Sequence, residues 1–263
     1  MDCSEGYNEF LAELYDYIRP YRDRKDVDFF VDIARSSAGP VLELGCGTGR
    51  VLIPTARAGI EIVGLDASAS MLSVCQKRLS AEPEAVRLKT YLVQGDMRQF
   101  EIKRQFALIT IPFRPFQHLL TTEDQLSCLQ TARHHLTPGG CLILDVFNPS
   151  LPHLTDDRYL EEHAEEPEFT TIDGRRVVRH ARIVARDFLN QISDAELIYY
   201  VTNPNGSEER VVHRFRLRYL FRFELEHLLA RCGFRLEALY ADYDKSPYGS
   251  KYPGELIAVA RKV

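Results

Sequence analysis

Hydrophobic positions along the chain fall into two regimes. Up to about residue 147, short apolar runs alternate with stretches whose apolar positions recur every three or four residues, the spacing of strands and amphipathic helices. From about Tyr7 to Ala34 this spacing predicts helix, with Phe10, Leu11, Leu14, Tyr15 and Ile18 in one segment and Val27, Phe30 and Val31 in the next, separated by Pro20. Val41, Leu42 and Leu44 begin a first strand, and Ile60, Ile62 and Val63 a second that closes on Asp66. A helix from about Ser68 to Leu79 sets Met71, Leu72, Cys75 and Leu79 on one face. A third strand is expected over Lys89–Gln94 and a fourth over Phe106–Ile111. A helix then runs from Thr122 to about Leu136, Pro138-Gly139-Gly140 turns the chain, and Cys141–Phe147 makes a fifth strand. This alternation implies parallel pairing with helices on both faces of one sheet.

Beyond Asn148-Pro149 the pattern changes. Asp156 to Glu168 is acidic and irregular, and three long polar–apolar alternations follow, Arg176–Phe188, Ile192–Thr202 and Arg210–Leu220. Turns at Leu189-Asn190-Gln191 and Asn203-Pro204-Asn205-Gly206 join them into an antiparallel meander. The α/β pattern resumes with a helix at Arg222–Arg231, stopped by Gly233, and strands at Arg235–Tyr240 and Glu255–Arg261. Residues 1–150 and 221–263 are therefore expected to form the core, N-terminal helices included, with 151–220 as an inserted sheet acting as a substrate lid. The blander reading is a sheet that merely extends the core.

Composition narrows the classes. The 263 residues suit one large α/β domain with an insertion, and 45% hydrophobic and 27% charged residues argue against global disorder. A net charge of −5 argues against a general polyanion binder, so no nucleic-acid partner is expected. No apolar run approaches the length that spans a bilayer, and the start MDCSEGYNEF lacks the basic and apolar parts of a signal peptide. The six cysteines are scattered without a C-x-x-C pair and read as reduced thiols, so a cytoplasmic protein without a membrane partner is expected.

Strand, glycine turn, helix and a second strand with a terminal acid make Val41–Asp66 a βαβ nucleotide site. Glycines at 45, 47 and 49 let backbone N–H groups approach a ligand, and Asp66 is placed to take both hydroxyls of a ribose. Two cofactor classes use this layout. The dinucleotide pattern G-x-G-x-x-G needs its third glycine one residue later, where this chain has Arg50. The spacing E-x-G-x-G-x-G, here Glu43-Leu44-Gly45-Cys46-Gly47-Thr48-Gly49, resembles motif I of the class I S-adenosylmethionine-dependent methyltransferases. The resemblance spans about Leu14–Phe147 and Phe221–Val263. It implies a Rossmann-like, doubly wound, mostly parallel seven-stranded α/β sheet carrying the inserted antiparallel meander, with S-adenosylmethionine as cofactor. In that family the loop wraps the methionine end of the cofactor, which assigns Glu43, Gly45, Cys46 and Gly47 to it. Gly95-Asp96-Met97 falls where the family's adenine-binding acid is expected, with Met97 against the ring. Tyr15-Asp16 resembles the N-terminal pair whose tyrosine closes over the cofactor in small-molecule members, although Tyr15 serves equally as a core aromatic. Met71 and Ile111 complete the expected cofactor set.

The acceptor side is expected from the loop after the fourth strand, Ile109–His118. Enzymes acting on DNA amines or glutamine amides carry an Asn-Pro-Pro-Tyr-like motif there, whereas this chain reads Thr110-Ile111-Pro112-Phe113. An aromatic-rich loop ending in histidine resembles instead the small-molecule N-methyltransferases, notably the sugar-amine dimethyltransferases, which also insert an antiparallel sheet. His118 is the nominated general base, since its ordinary pKa suits proton removal near neutrality. Arg114 offers a contact for an anionic group, with a plain surface role as the alternative. His134-His135 lacks partners at ligand spacing, and no metal is expected. The meander is arginine-rich at 175, 176, 179, 182, 186, 210, 214, 216 and 218, which suits either a small anionic acceptor or a solvated sheet face, and its edge is equally suited to a homodimer contact. The expected activity is methyl transfer from S-adenosylmethionine to a nitrogen, or an oxygen, of a small molecule. A non-catalytic cofactor-binding subunit and an enzyme acting on RNA or protein are the alternatives.

Overall fold

The computed structural model describes residues 9–18 and 24–263, so the expectations resting on Cys3, Tyr7 and Pro20 lie outside the described residues. Strands β1 (Val41–Leu44), β2 (Ile62–Asp66), β3 (Thr90–Gln94), β4 (Phe106–Ile111) and β5 (Leu136–Phe147) come first along the chain. They are followed by β6 (His163–Ala164), β7 (Phe169–Thr170), β8 (Arg176–Asp187), β9 (Ile192–Thr202) and β10 (Glu208–Arg218), then by β11 (Phe234–Tyr240) and β12 (Glu255–Lys262). Contacts divide the chain into two compact units. One comprises Lys25–Pro149 and Tyr219–Val263; the other comprises Ser150–Arg218 with the described residues before Lys25.

The larger unit is a seven-stranded sheet in the order β11-β12-β5-β4-β1-β2-β3. β1 to β5 pair in parallel, while β12 runs antiparallel to both β5 and β11. Successive residues on its central strands enter opposite cores, as a period of two requires. Leu42, Leu44, Val63, Leu65, Ile109, Leu142 and Leu144 face one cluster with Leu129, Ala132, Leu225 and Leu229 from helices Thr122–His135 and Arg222–Arg231. Val41, Ile62, Leu108 and Ile143 face another with Phe30 and Ala34 of helix Asp26–Ser36 and Cys75 and Leu79 of helix Ala69–Ser80. A sheet buried on both faces explains why its strands are continuous apolar runs. Two helices begin on side-chain caps: Ser68 Oγ accepts the Met71 N–H at 3.2 Å and Thr121 Oγ1 the Asp124 N–H at 3.1 Å. The expected turn at Pro138-Gly139-Gly140 lies inside the bounds of β5, where the register jumps from Phe106 opposite Leu136 to Leu108 opposite Cys141. The surplus residues are accommodated there with Gly139 at φ 70°.

The smaller unit is an antiparallel sheet in the order β10-β9-β8-β6, with β7 also paired to β8. Its hairpins turn where expected, with Gln191 at φ 57° and Gly206 at φ 84°. Two features differ from the sequence reading. Leu11, Leu14 and Ile18, expected within the core domain, pack instead with Phe169, Val177, Leu197, Tyr199 and Val201 of this sheet. The acidic stretch expected to be irregular carries a 3-10 turn at Asp157–Leu160 and supplies β6 and β7. Its carboxylates meet the arginines of the sheet: Glu165 and Glu166 lie 3.0 and 2.7 Å from Arg179, and Asp157 lies 3.0 Å from Arg186. Glu196 on β9 takes Arg182 at 2.7 Å and Arg214 at 2.5 Å, and Asp194 takes Arg216 at 2.8 Å.

Arg179 and Glu166 have side chains only 1% and 2% exposed, so removing one partner strands the other's charge. Arg179→Ala should cost about 3–5 kcal/mol of the smaller unit's stability in chemical denaturation. A loss below about 1 kcal/mol, the range of exposed ion pairs, would show that this pair is not buried in solution.

Candidate active site

Strand order reverses between β1 and β4, since β2 and β3 lie to one side of this pair and β5 to the other, and the carboxyl ends of strands at such a point form a natural crevice. The glycine loop leaves β1 there. Gly45 and Cys46 donate their N–H groups to the Leu65 carbonyl at 2.7 and 3.1 Å. The Asp66 carboxylate closes the clamp: Oδ2 accepts the Gly47 N–H at 2.8 Å and Oδ1 the Ser68 N–H at 2.8 Å. Burial pushes the Asp66 carboxyl pKa up, and backbone N–H groups of Ser68, Gly47 and Ala67 pull it back. Gly47, at φ 53°, has nothing within 4 Å of where a Cβ would stand, so its backbone faces open space. Gly45, at φ 73°, has the opposite surroundings: a Cβ would lie 2.7 Å from Pro115 Cγ and 3.6 Å from Met97 Cε. The helix after the loop is short, Leu52–Arg57, and starts beyond Arg50 and Val51.

Glu43 ends up buried on β1 at 2% exposure. Its Oε2 has no hydrogen-bond partner among the described residues. Burial raises its pKa well above the usual range; the nearby Arg50 charge opposes this, and Asp26 and Asp66 add to it. Arg50 forks onto the fully buried Asp26 with two bonds of 2.6 Å, and its guanidinium lies 4.9 Å from the centre of the Phe113 ring. The Cys46 thiol is driven up by burial, with the Glu43 and Asp66 charges adding to it. Met71 is buried in the first turn of helix Ala69–Ser80, and Ile111 is buried at the end of β4.

Gly95 donates to the Asp66 carbonyl at 3.0 Å, which brings the ends of β2 and β3 together and sets Asp96 and Met97 just beyond. Asp96 accepts the Arg98 N–H at 2.8 Å and the Arg98 guanidinium at 2.5 to 3.0 Å, and this pairing holds its carboxyl below the usual carboxylate range. Arg98 also bonds Asp124 at 3.0 Å.

After β4 the chain makes a turn that costs free energy. Phe113 and Arg114 are consecutive non-glycine residues at φ 66° and 72°, a conformation that costs about 1–3 kcal/mol each and persists only where the surroundings enforce it. The fully buried Asp145 of β5 accepts the Phe113 N–H at 2.6 Å and the Tyr243 hydroxyl at 2.6 Å. The buried Gln117 accepts the Phe147 N–H at 3.0 Å. Arg114 is paired to Glu255 at 3.0 Å. A 3-10 turn, Pro115–His118, follows and leaves His118 exposed at its end.

Glu43, Gly45, Cys46, Gly47, Asp66, Met71, Asp96, Met97, Ile111 and His118 all belong to the larger unit, and Tyr15 to the smaller, in the 3-10 turn Tyr15–Tyr17. His135 is committed to structure, with Nε2 3.1 Å from the Ile102 N–H and Nδ1 2.9 Å from the Thr131 carbonyl. Asp26, Gln117, Asp145 and Glu255 escaped the sequence reading. Asp145 alone left a signal, as the one acid inside the apolar run Cys141–Phe147.

Residues 41–140 match the family model described as a methyltransferase domain. The chain is 25% identical over 235 residues to a protein of Bacillus subtilis described as the putative methyltransferase YqeM, covering 89% of this chain and 88% of that one. It is 26% identical over 234 residues to the dTDP-3-amino-3,4,6-trideoxy-alpha-D-glucopyranose N,N-dimethyltransferase of Streptomyces venezuelae, covering 87% and 91%. The solved CcbJ methyltransferase from Streptomyces caelestis superimposes with a TM-score of 0.75 at 25% identity, covering 90% of this chain and 95% of that one. With the seven-stranded fold and the clamped glycine loop, these likenesses identify the chain as a class I S-adenosylmethionine-dependent methyltransferase. Its methyl donor is S-adenosylmethionine. The residues present fit that group: the backbone is open at Gly47, and the buried, unpartnered Glu43 Oε2 is an acceptor that an ammonium N–H can satisfy. Among the described residues, no helix is long and apolar enough to cross a membrane.

The raised Glu43 pKa carries a stability signature. The folded protein holds this proton more tightly than the unfolded chain, so the stability it brings is complete below the ordinary value of 4.5 and drains away as pH climbs through the raised folded value. Glu43→Gln cannot ionise. In urea unfolding without cofactor, its stability relative to the parent should therefore increase as pH rises from that ordinary value. A difference that stays constant with pH would overturn the assignment.

Proposed function

We propose that the protein transfers the methyl group of S-adenosylmethionine to a nitrogen of a small-molecule acceptor, with an oxygen acceptor as the second choice. The observation that carries this reading is the likeness to an amino-sugar N,N-dimethyltransferase across 87% of the chain, inserted sheet included. The loop after β4, which lacks an Asn-Pro-Pro-Tyr-like motif, supports it further. In the proposed site Glu43, Gly45, Cys46 and Gly47 hold the methionine end of the cofactor, Asp66 the ribose, and Asp96 with Met97 the adenine. Met71 and Ile111 complete the contacts within the larger unit.

The cofactor supplies an electrophilic methyl on a good leaving group, so the protein has chiefly to align the acceptor and exclude water. As the acceptor nitrogen bonds to the methyl carbon, the carbon–sulfur bond breaks and its electron pair leaves with sulfur. One proton must then leave the nitrogen. His118, exposed at the end of its turn, is the proposed acceptor of that proton. The arginines of the inserted sheet with carboxylate partners have their charge answered inside their own unit, which favours a neutral or cationic acceptor over an anionic one.

Calorimetry and a labelled-methyl assay test the proposal. Asp66→Ala should weaken S-adenosylhomocysteine binding at least about tenfold, since hydrogen bonds to a charged group contribute roughly 1.5–3 kcal/mol. Unchanged affinity would sink the ribose assignment. Offered amino sugars, simple amines, hydroxyacids, tRNA and peptides, the enzyme should label an amine. Labelling of tRNA or peptide alone would overturn the small-molecule reading. On the labelled amine, His118→Ala should lower kcat about 100-fold or more at unchanged S-adenosylhomocysteine affinity, and full activity would remove it as the base.

A further inference from the structure

The turn at Phe113–Arg114 is held from two sides, by Asp145 directly and by Asp26 through Arg50. From β5, the fully buried Asp145 accepts the Phe113 N–H at 2.6 Å and the Tyr243 hydroxyl at 2.6 Å. From the glycine loop, Arg50 sits over the Phe113 ring at 4.9 Å while its fork is fixed on Asp26 at 2.6 Å. Both φ angles of the turn, 66° and 72°, lie where side chains other than glycine persist only under such constraint. The residue that follows the turn is Pro115, whose ring lies so close to Gly45 that a Cβ there would stand 2.7 Å from it. A continuous path of contacts therefore runs from Asp145 through Phe113 and Pro115 to the first glycine of the donor loop.

We propose that Asp145 is a positioning residue for the methyl donor: by enforcing the left-handed Phe113–Arg114 turn it seats Pro115 on Gly45 and so sets the conformation of the donor loop. The consequence is that the segment after β4, expected to face the acceptor, also determines how well the cofactor is held. This inference rests on the assignment of Gly45–Gly49 to the cofactor. Asp145 works here as a two-bond acceptor at a fixed point of the sheet, and its charge is not required to reach the ligand.

Titration calorimetry with S-adenosylhomocysteine tests it on the full chain. Asp145→Ala should weaken binding at least tenfold, whereas Asp145→Asn, which keeps an oxygen for the Phe113 N–H, should stay within threefold of the parent. Glycine adopts positive φ without strain, so Phe113→Gly in the Asp145→Ala background should recover most of the lost affinity relative to the Phe113→Gly single variant. A buried acid that served only general stability would not be rescued at position 113, and failure of that rescue overturns the proposal. Should Asp145→Ala not fold, Pro115→Ala gives the second reading. It removes the ring from Gly45 at a half-buried site and should weaken binding three- to tenfold with little change in Tm, and unchanged affinity overturns the proposal equally. Asp66→Ala serves as the control. If it too binds as the parent does, the cofactor assignment has failed; if it alone is weakened, only the role of Asp145 has.

Discussion

The Asp66 carboxylate binds the Gly47 N–H and the Ser68 N–H, and much of the active site depends on that pair of bonds. One oxygen fixes a loop that leaves β1, the other fixes the entry to helix Ala69–Ser80, and the Asp66 carbonyl takes Gly95 from the end of β3. Three segments far apart in sequence are thus registered on one residue at the end of β2. Such a carboxylate is costly to bury, as its raised pKa records, and the backbone donors around it offset part of that cost. A site preorganised in this way meets its ligand with the loop already shaped, which lowers the ordering penalty of binding.

A fully buried acid elsewhere in the sheet has a different task. Asp145 lies on β5, two strands from β1, and holds a turn whose backbone would otherwise relax. The two acids divide the work between the segments they restrain, one shaping the donor loop directly and the other bracing the turn after β4. Arg50 spans the gap, since it answers Asp26, covers Phe113 and tempers Glu43. Where a dinucleotide motif would place a small glycine, this chain places a large cation that ties its surroundings together.

Most of the larger unit was legible because its signals are local. The helix Arg222–Arg231 and strand Phe106–Ile111 have the bounds that period and stop residues suggest, and the glycine spacing alone separated one cofactor class from another. What escaped depended on long-range partners. Asp156–Glu168 looks like a solvated acidic stretch until the arginines of the antiparallel sheet are set against it, and no window of sequence contains both. Arg114 looks like a free surface cation until Glu255, 141 positions away, is found on it. The apolar pattern of Leu11, Leu14 and Ile18 foretold a buried helix face but could not say which sheet buries it.

The fork between Arg50 and Asp26 bears on where this enzyme's smallest working piece begins. The stretch matching the methyltransferase-domain model opens at Val41, and Asp26 lies upstream of it. At the other end, β12 supplies the antiparallel neighbour that covers the edge of β5, and it too falls outside that stretch. A fragment cut to residues 41–140 would leave Arg50 without its carboxylate and would lose most of β5 along with β12. The recognisable signature and the autonomous folding unit are therefore different objects in this chain, and a transplant of the cofactor site into another scaffold would have to carry helix Asp26–Ser36 with it.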